Sequence, residues 1–600
     1  MHRPHIRTVA LAVAVATAVT GLAGPALAAP AGGQDHTVSS AGTSTASVVA
    51  AADAAAFAHA SATGVTQGDE LRAQDVLFDP EGARHVRFIR THRGLPVLGG
   101  DLVVHLDRQL RYTGVTRAAG HTVRPAVTRA TLTPRQATAR AASAAHGEAG
   151  TARLVVDARG GASALAYEVR VTSPATTESG GSRTVVVVVD AVTGEVRSDT
   201  PDRDEFLSPR LIETLRRRGE TLDPATGSVP PAAALAATPS AVAVGYPRTA
   251  TGTGSSLFVG KVSLTTTQTA SKSFLLKDPS RYGTETRDAK NKPLENFARG
   301  TKFTSTTNKW GNGAVSSRAS AAVDAQYGIT KTLDFYKKYF GRKGIKNNSK
   351  GAQAMVHFGN KVANAFWDPA CACMLYGDGD GLMFKKPLVA LDVTGHELTH
   401  GVVDATAGLE PTFVDYAGNQ YGEPGSLNES LADIFGSGVE FHANNPKNPP
   451  NYLIGEKLGL AQKFLRRLDR PSLDKLEGAI DYWSPEVYFT EVHAGSGVSS
   501  HAYYLLAEGS GSKQIGAVTY DSPTYDGLPV KGIGRTKATA VFYRALTRYM
   551  VSTTDFHDAR VATLKAAKDL YGATGTEYKA VDRAWAAVNV TAANTPAAGR

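Results

Sequence analysis

Two pairs of residues, each pair spaced four apart, constrain this chain more than anything else in it. His396 and His400 stand in His396-Glu397-Leu398-Thr399-His400, and Glu429 and Asp433 stand in Asn428-Glu429-Ser430-Leu431-Ala432-Asp433. On a helix, positions i and i+4 share one face, one turn apart. Val402 and Val403 continue an apolar face, so the first helix is expected to be buried. His396 and His400 can grip one ion through their ring nitrogens, and Glu429 completes a His-His-Glu set. Glu397 lies one residue on, close enough to reach a water on the ion. Three protein ligands with an open position suit one catalytic zinc. Asp433 can accept the other ring N–H of a ligand histidine and fix its tautomer. Either motif alone also describes an ordinary polar helix face; the two together do not.

At 600 residues the chain exceeds one domain. Its net charge of +10 is not a nucleic-acid signal, because the arginines are scattered without aromatic interleaving. Residues 1–28 read as a secretory signal, with a basic start, an apolar run from Val9 to Leu22 and Ala26-Leu27-Ala28 as a cleavage site. That run is shorter than the ~20 residues of a membrane-spanning helix, and no later stretch is long enough. A secreted, extracellular product without a membrane anchor is expected.

Residues 29–66 are rich in Ala, Ser, Thr and Gly and read as a flexible lead-in. Residues 67–125 and 126–200 read as two small α/β modules, with alternation at His85–Arg90 and Leu102–Leu106 and a helix opened by Thr133-Pro134. Residues 201–250 read as a linker and maturation region, Asp223 to Ser240 being rich in Pro, Ala, Thr and Gly. Ser256 to Leu264 alternates as a strand, Ala321 to Phe340 has helical spacing, and Tyr376 to Gly381 reads as a tight β-hairpin. Cys371 and Cys373 are the only cysteines, and the sequence leaves a disulfide and free thiols equally open.

His-Glu-Leu-Thr-His followed by Asn-Glu-x-x-x-Asp resembles the thermolysin-like (gluzincin) metalloendopeptidases. The resemblance covers about residues 250–590, and residues 67–200 are similar to the family's fungalysin/thermolysin propeptide and PepSY-type modules. It implies an α+β fold: a β-rich amino-terminal lobe with the zinc helix over 251–400, a helical lobe over 401–590, and a tail at 591–600. It implies protein and peptide substrates, a preference for bulky hydrophobic residues after the scissile bond, and a monomer. It also implies a prosegment that inhibits and chaperones its own enzyme.

The resemblance also assigns residues. Asn364, Ala365 and Trp367, in Asn-Ala-Phe-Trp, match an edge strand that aligns extended substrate. Arg466 matches an arginine that binds the substrate carbonyl, and Phe384, Val393, Ile454 and Leu465 match the apolar pocket beside it. His493 matches the catalytic histidine, with Glu491 the nearest acid to orient it. Tyr421 is the first choice for the oxyanion tyrosine and Tyr416 the second, because an insertion around Thr412 to Gln420 blurs the match. Asp392, Glu440 and Glu456 match acids that bind structural calcium, and Asn451 stands where another carboxylate is expected. A silent binding module and a zinc amidase acting on cell-wall peptides are the rival readings. The complete ligand set with Glu397 opposes the first, and the Asn-Ala-Phe-Trp strand opposes the second.

Overall fold

A computed structural model describes residues 44–173, 183–218, 245–294, 296–415 and 417–594. The signal stretch, Asp223 to Ser240 and Tyr416 lie outside these residues.

Among the described residues, the two small modules of the amino-terminal half share one ten-stranded sheet. Asp69–Phe78, Arg84–His92, Leu102–Leu106 and Tyr112–Arg117 make its first part, and Glu148–Ala149, Arg153–Asp157, Ala164–Ser173, Arg183–Asp190 and Val196–Pro201 its second. The short strand Leu95–Leu98 joins them, pairing Val97 with Val156 and Leu98 with Asp157. Each part keeps its own core. Helix Pro134–Ala144 covers the second with Ala137 and Ala141, and starts at a capping box between Thr133 and Gln136.

The lead-in reading fails over part of its length, because Thr45–Ala58 is a helix. Its buried Val48, Ala52 and Ala56 repeat every four residues and pack with Val86, Phe88, Leu102 and Val104. Small residues disguise the amphipathic period in composition, yet alanine is the best helix former.

Two further readings are corrected. Ser256–Gly260 is a turn between strands Arg248–Ser255 and Lys261–Ala270, not part of one strand. The buried Asp324 carboxylate accepts the N–H groups of Leu257 (2.5 Å) and Phe258 (3.2 Å), which closes the chain there. Tyr376 to Gly381 is not a hairpin. Tyr376 ends strand Cys373–Tyr376, and Asp380 Oδ1 then accepts from Leu382, Met383 and Phe384 at 3.0, 2.8 and 3.2 Å. Cys371 and Cys373 are joined as a disulfide.

The carboxy-terminal half sets two sheets against a helical lobe. Leu391–Asp404 and Glu423–Ala443 are buried along most of their length and pack on each other, with the long helix Arg318–Phe340 beside them. Gly497–Glu508, Arg535–Arg544, Phe556–Tyr571 and Thr576–Ala586 complete the lobe.

The two halves meet through ions and backbone. Asp79 accepts from His85 within its own sheet and from Arg544 and Arg548 of the helical lobe. Arg87 Nη2 donates to the Met550 carbonyl at 2.8 Å, and Ser552 N donates to Asp101 Oδ2 at 3.2 Å. The 201–250 region is not wholly a linker either. Asp204–Glu205 adds a strand to the edge Ala365–Asp368, and helix Pro209–Arg218 buries Leu211, Ile212 and Leu215 in the main core. Among the described residues no helix is long and apolar enough to cross a membrane.

Candidate active site

The helix Leu391–Asp404 carries His396, Glu397 and His400 into the interior, all fully buried. Glu423–Ala443 crosses against it and carries Asn428, Glu429 and Asp433. The close crossing needs glycine. A Cβ on Gly436 would lie 3.0 Å from the Asp392 carbonyl oxygen and 3.1 Å from the His396 nitrogen, both backbone atoms. Such overpacking costs about 1–3 kcal/mol. Gly436→Ala is therefore expected to lower Tm and to speed zinc loss to a competing chelator, and unchanged values for both would show the crossing to be slack.

Three donors converge. His396 Nε2 lies 3.3 Å from Glu429 Oε2, His400 Nε2 lies 3.6 Å from Glu429 Oε1, and the two Nε2 atoms are 3.0 Å apart. The outer nitrogens face acceptors: His396 Nδ1 lies 2.7 Å from Asp433 Oδ1, and His400 Nδ1 lies 3.0 Å from Asn428 Oδ1. Both Nδ1 atoms thus donate, which turns the Nε2 lone pairs inward. Burial disfavours charge on either ring. Asp433 and Glu429 nevertheless hold His396 up at about 9, while His400 falls to about 4. Glu429 Oε2 makes no well-aligned hydrogen bond, with only the Nε2 atoms of His396 and His493 near it at 3.3 and 3.4 Å. An N, N, O set within 4.8 Å fits a zinc ion.

Glu397 stands beside this set with both carboxylate oxygens unpartnered. Burial pushes its carboxyl well above the usual range. His493 Nδ1 lies 3.0 Å from Glu491 Oε1, and Glu491 Oε2 also accepts the His493 N–H at 2.9 Å. Asp433 accepts from Arg466 Nε at 2.8 Å as well as facing His396, so one carboxylate links the histidine to the arginine. Tyr421 donates its hydroxyl to Asp415 Oδ2 at 3.0 Å and stacks on Phe413.

A strand of the chain itself lies along the site. Asp204 pairs with Trp367 and Glu205 with Phe366. Phe206 N donates to the Ala365 carbonyl at 3.1 Å, and Asn364 brackets Leu207, accepting its N–H at 3.0 Å and donating to its carbonyl at 3.1 Å. The Phe206 ring is fully buried, edge to face with His396 at 5.2 Å. It shares one core with Phe384, Val393, Ile454 and Leu465. Nothing in the sequence marked residues 204–207 as the occupant. The only hint, an aromatic beside an acidic run, is common.

A second acidic centre lies further along the same two helices, with Asp392 one turn before His396 and Glu440 beyond Glu429. Asp392, Glu440 and Glu456 bring carboxylate oxygens within 4.8 Å of one another. Asn451 donates to Glu440 at 3.5 Å and to Glu456 at 3.3 Å. Asp392 Oδ1, Glu456 Oε2 and Asn448 Oδ1 are buried without a partner. Asn448 was missed by sequence reasoning, since a lone Asn in Asn-Pro-Lys-Asn carries no metal signature.

With this geometry in hand, family membership follows. The profile "Thermolysin metallopeptidase, catalytic domain" matches residues 251–404, and "Thermolysin metallopeptidase, alpha-helical domain" matches 417–590, together more than half of the chain. The "Fungalysin/Thermolysin Propeptide Motif" matches 69–119, and the "Peptidase propeptide and YPEB domain" matches 131–200. The chain belongs to the thermolysin metallopeptidase family.

Among its relatives, the transglutaminase-activating metalloprotease of Streptomyces mobaraensis is 38% identical over 88% of this chain and 62% of its own length. The bacillolysin of Bacillus cereus is 36% identical over 56% of this chain and 55% of its own length. The thermolysin of Alicyclobacillus acidocaldarius subsp. acidocaldarius is 38% identical over 45% of each. The chain thus spans about half to three-fifths of the relatives it matches.

Proposed function

We propose that the chain is a secreted zinc endopeptidase made as a latent precursor, cutting proteins before bulky hydrophobic residues. The observation that carries this is the unpartnered Glu397 carboxylate beside three converging metal donors, along an edge strand that accepts extended backbone. His396, His400 and Glu429 would hold the zinc, which when bound supplies carbonyl polarisation and an acidified water. Glu397 takes the proton of the attacking water and passes it to the leaving nitrogen. His493, oriented by Glu491, donates from Nε2 to the carbonyl oxygen as charge develops there. Tyr421 is the candidate second donor, and its swing away from Asp415 is part of that proposal. Arg466 anchors the next carbonyl, Asn364 and Ala365 hold the backbone with Trp367 beside them, and Phe384, Val393, Ile454 and Leu465 line the side-chain pocket.

The test is a peptide series differing only in the residue after the scissile bond. Phe and Leu should give kcat/KM at least about tenfold above Gly, the size of effect that small apolar differences produce. Equal rates across the series would overturn the specificity, and cleavage of wall amides alone would favour an amidase.

Asp392, Glu440 and Glu456, with Asn451, are proposed to hold structural calcium. Three clustered carboxylates in a buried site repel one another, and oxygen donors of this kind suit a hard cation. At calcium ~100-fold above its Kd, binding would stabilise the fold by about 2.7 kcal/mol. Removing calcium while zinc stays saturating should therefore lower Tm by several degrees. A superimposable melting curve would remove the site.

A further inference from the structure

We propose that the bond between Glu205 and Phe206 is the chain's own first cleavage site, cut within the same molecule; this rests on the endopeptidase reading above. The chain lies across the site as a substrate would, and each contact has a direction. The Glu205 carbonyl oxygen accepts from His493 Nε2 at 2.8 Å, in the place of a scissile carbonyl. Phe206, on the leaving side, gives its N–H to the Ala365 carbonyl, and its ring is fully buried in the core that also holds Phe384, Val393, Ile454 and Leu465. The Phe206 carbonyl faces Arg466 Nη1 at 3.5 Å, whose guanidinium carbon also lies 5.3 Å from the ring centroid. Leu207 is bracketed by Asn364 on both its N–H and its carbonyl.

A blocking segment need only fill the cleft. This one places a carbonyl under the donor histidine and a bulky aromatic immediately after it. Both sides are also anchored. Upstream, Arg203 Nε donates to Asp368 Oδ2 at 2.8 Å; downstream, Arg210 N donates to Asn419 Oδ1 at 2.8 Å and the helix Pro209–Arg218 is packed in the core. Such fixed positioning converts a bimolecular encounter into an intramolecular one. The step is a hydrolysis. The oxygen of water bonds to the Glu205 carbonyl carbon and the C–N bond breaks. Both water protons end on the Phe206 nitrogen, the first passed by Glu397 as the bond breaks and the second from the new carboxyl group, so Phe206 leaves as an ammonium and Glu205 keeps the new carboxylate.

The experiment uses the full chain, prepared with zinc chelated and then given zinc, followed by intact mass and amino-terminal sequencing. The expected result is an early new terminus reading Phe206-Leu207-Ser208-Pro209, formed at a rate independent of chain concentration. Phe206→Leu should keep that rate within a few-fold, and Phe206→Gly should slow it by more than about tenfold, as for lost apolar pocket contacts. A first terminus elsewhere, a rate proportional to concentration, or equal rates for the Leu and Gly variants would overturn the proposal. A parallel sample is opened by limited trypsin at the Arg216-Arg217-Arg218 run and given a peptide with Phe after its scissile bond. Peptide cleavage with the Glu205–Phe206 bond intact in the zinc-loaded chain overturns this inference alone. No cleavage of either, with zinc bound, overturns the endopeptidase reading and this inference with it.

Discussion

Glu397→Gln is expected to abolish peptide hydrolysis while leaving zinc bound. Glutamine keeps the shape of the side chain but cannot take a proton from water. Glu397 has no hydrogen-bond partner to lose, so its replacement disturbs the His396, His400 and Glu429 donors little. Burial raises the Glu397 carboxyl, and uncharged glutamine suffers no such desolvation cost. The fold should therefore be as stable as before or slightly more so. General acid–base catalysis contributes on the order of 10²–10⁴-fold, and the loss in kcat should be at least that large. Zinc content by elemental analysis, Tm and turnover of one peptide are the readouts. Turnover within tenfold of the unaltered enzyme would remove Glu397 as the base.

The second large effect is expected at Asp79, far from the zinc donors. Its carboxylate is buried between His85 on its own sheet and Arg544 and Arg548 on the helical lobe. Removing one partner of a buried ion pair costs about 3–5 kcal/mol, because the remaining charges are left unpaired. Asp79→Ala should thus weaken inhibition of the mature enzyme by separately made residues 45–218 by about 10²–10³-fold. An unchanged inhibition constant would mean that the strand in the cleft alone holds the prosegment. A prosegment ending at residue 200 lacks that strand and should inhibit less well than one ending at 218.

The same carboxylate sets a direction with pH. Burial opposes its ionisation, but His85, Arg548 and Arg544 outweigh burial and hold it well below its ordinary 3.8. A depressed pKa means that the docking strength is complete above about pH 4–5 and is lost as the pH falls below the ordinary value. Inhibition titrations between pH 5 and 7 should therefore show no weakening from this group.

Local pattern and tertiary contact contributed differently to the fold and the site. The i, i+4 pairs were legible because helix geometry alone puts His396 with His400 and Glu429 with Asp433 on common faces. The helix Pro134–Ala144 was legible from its capping residues. Asp324 was not legible as the clamp on the 256–260 turn, because 66 residues separate it from Phe258. The helix Thr45–Ala58 escaped because alanine-rich composition hides which face is buried until a sheet exists to bury it.

By itself the sequence determined the chemistry on offer. Short spacings such as His-Glu-x-x-His are enforced by a helix that forms wherever it is packed, so the convergence of His396, His400 and Glu429 with Glu397 beside them was readable residue by residue. Only the tertiary structure decided what meets that chemistry. Glu205 reaches His493 across 288 positions and Arg466 reaches Phe206 across 260. Asp79 meets Arg544 across 465. Contacts at such separations arise from the packing of whole sheets and helices, which leaves no periodic trace in the chain. For that reason the region after residue 200 read as a linker, while in the folded molecule its first residues lie in the cleft.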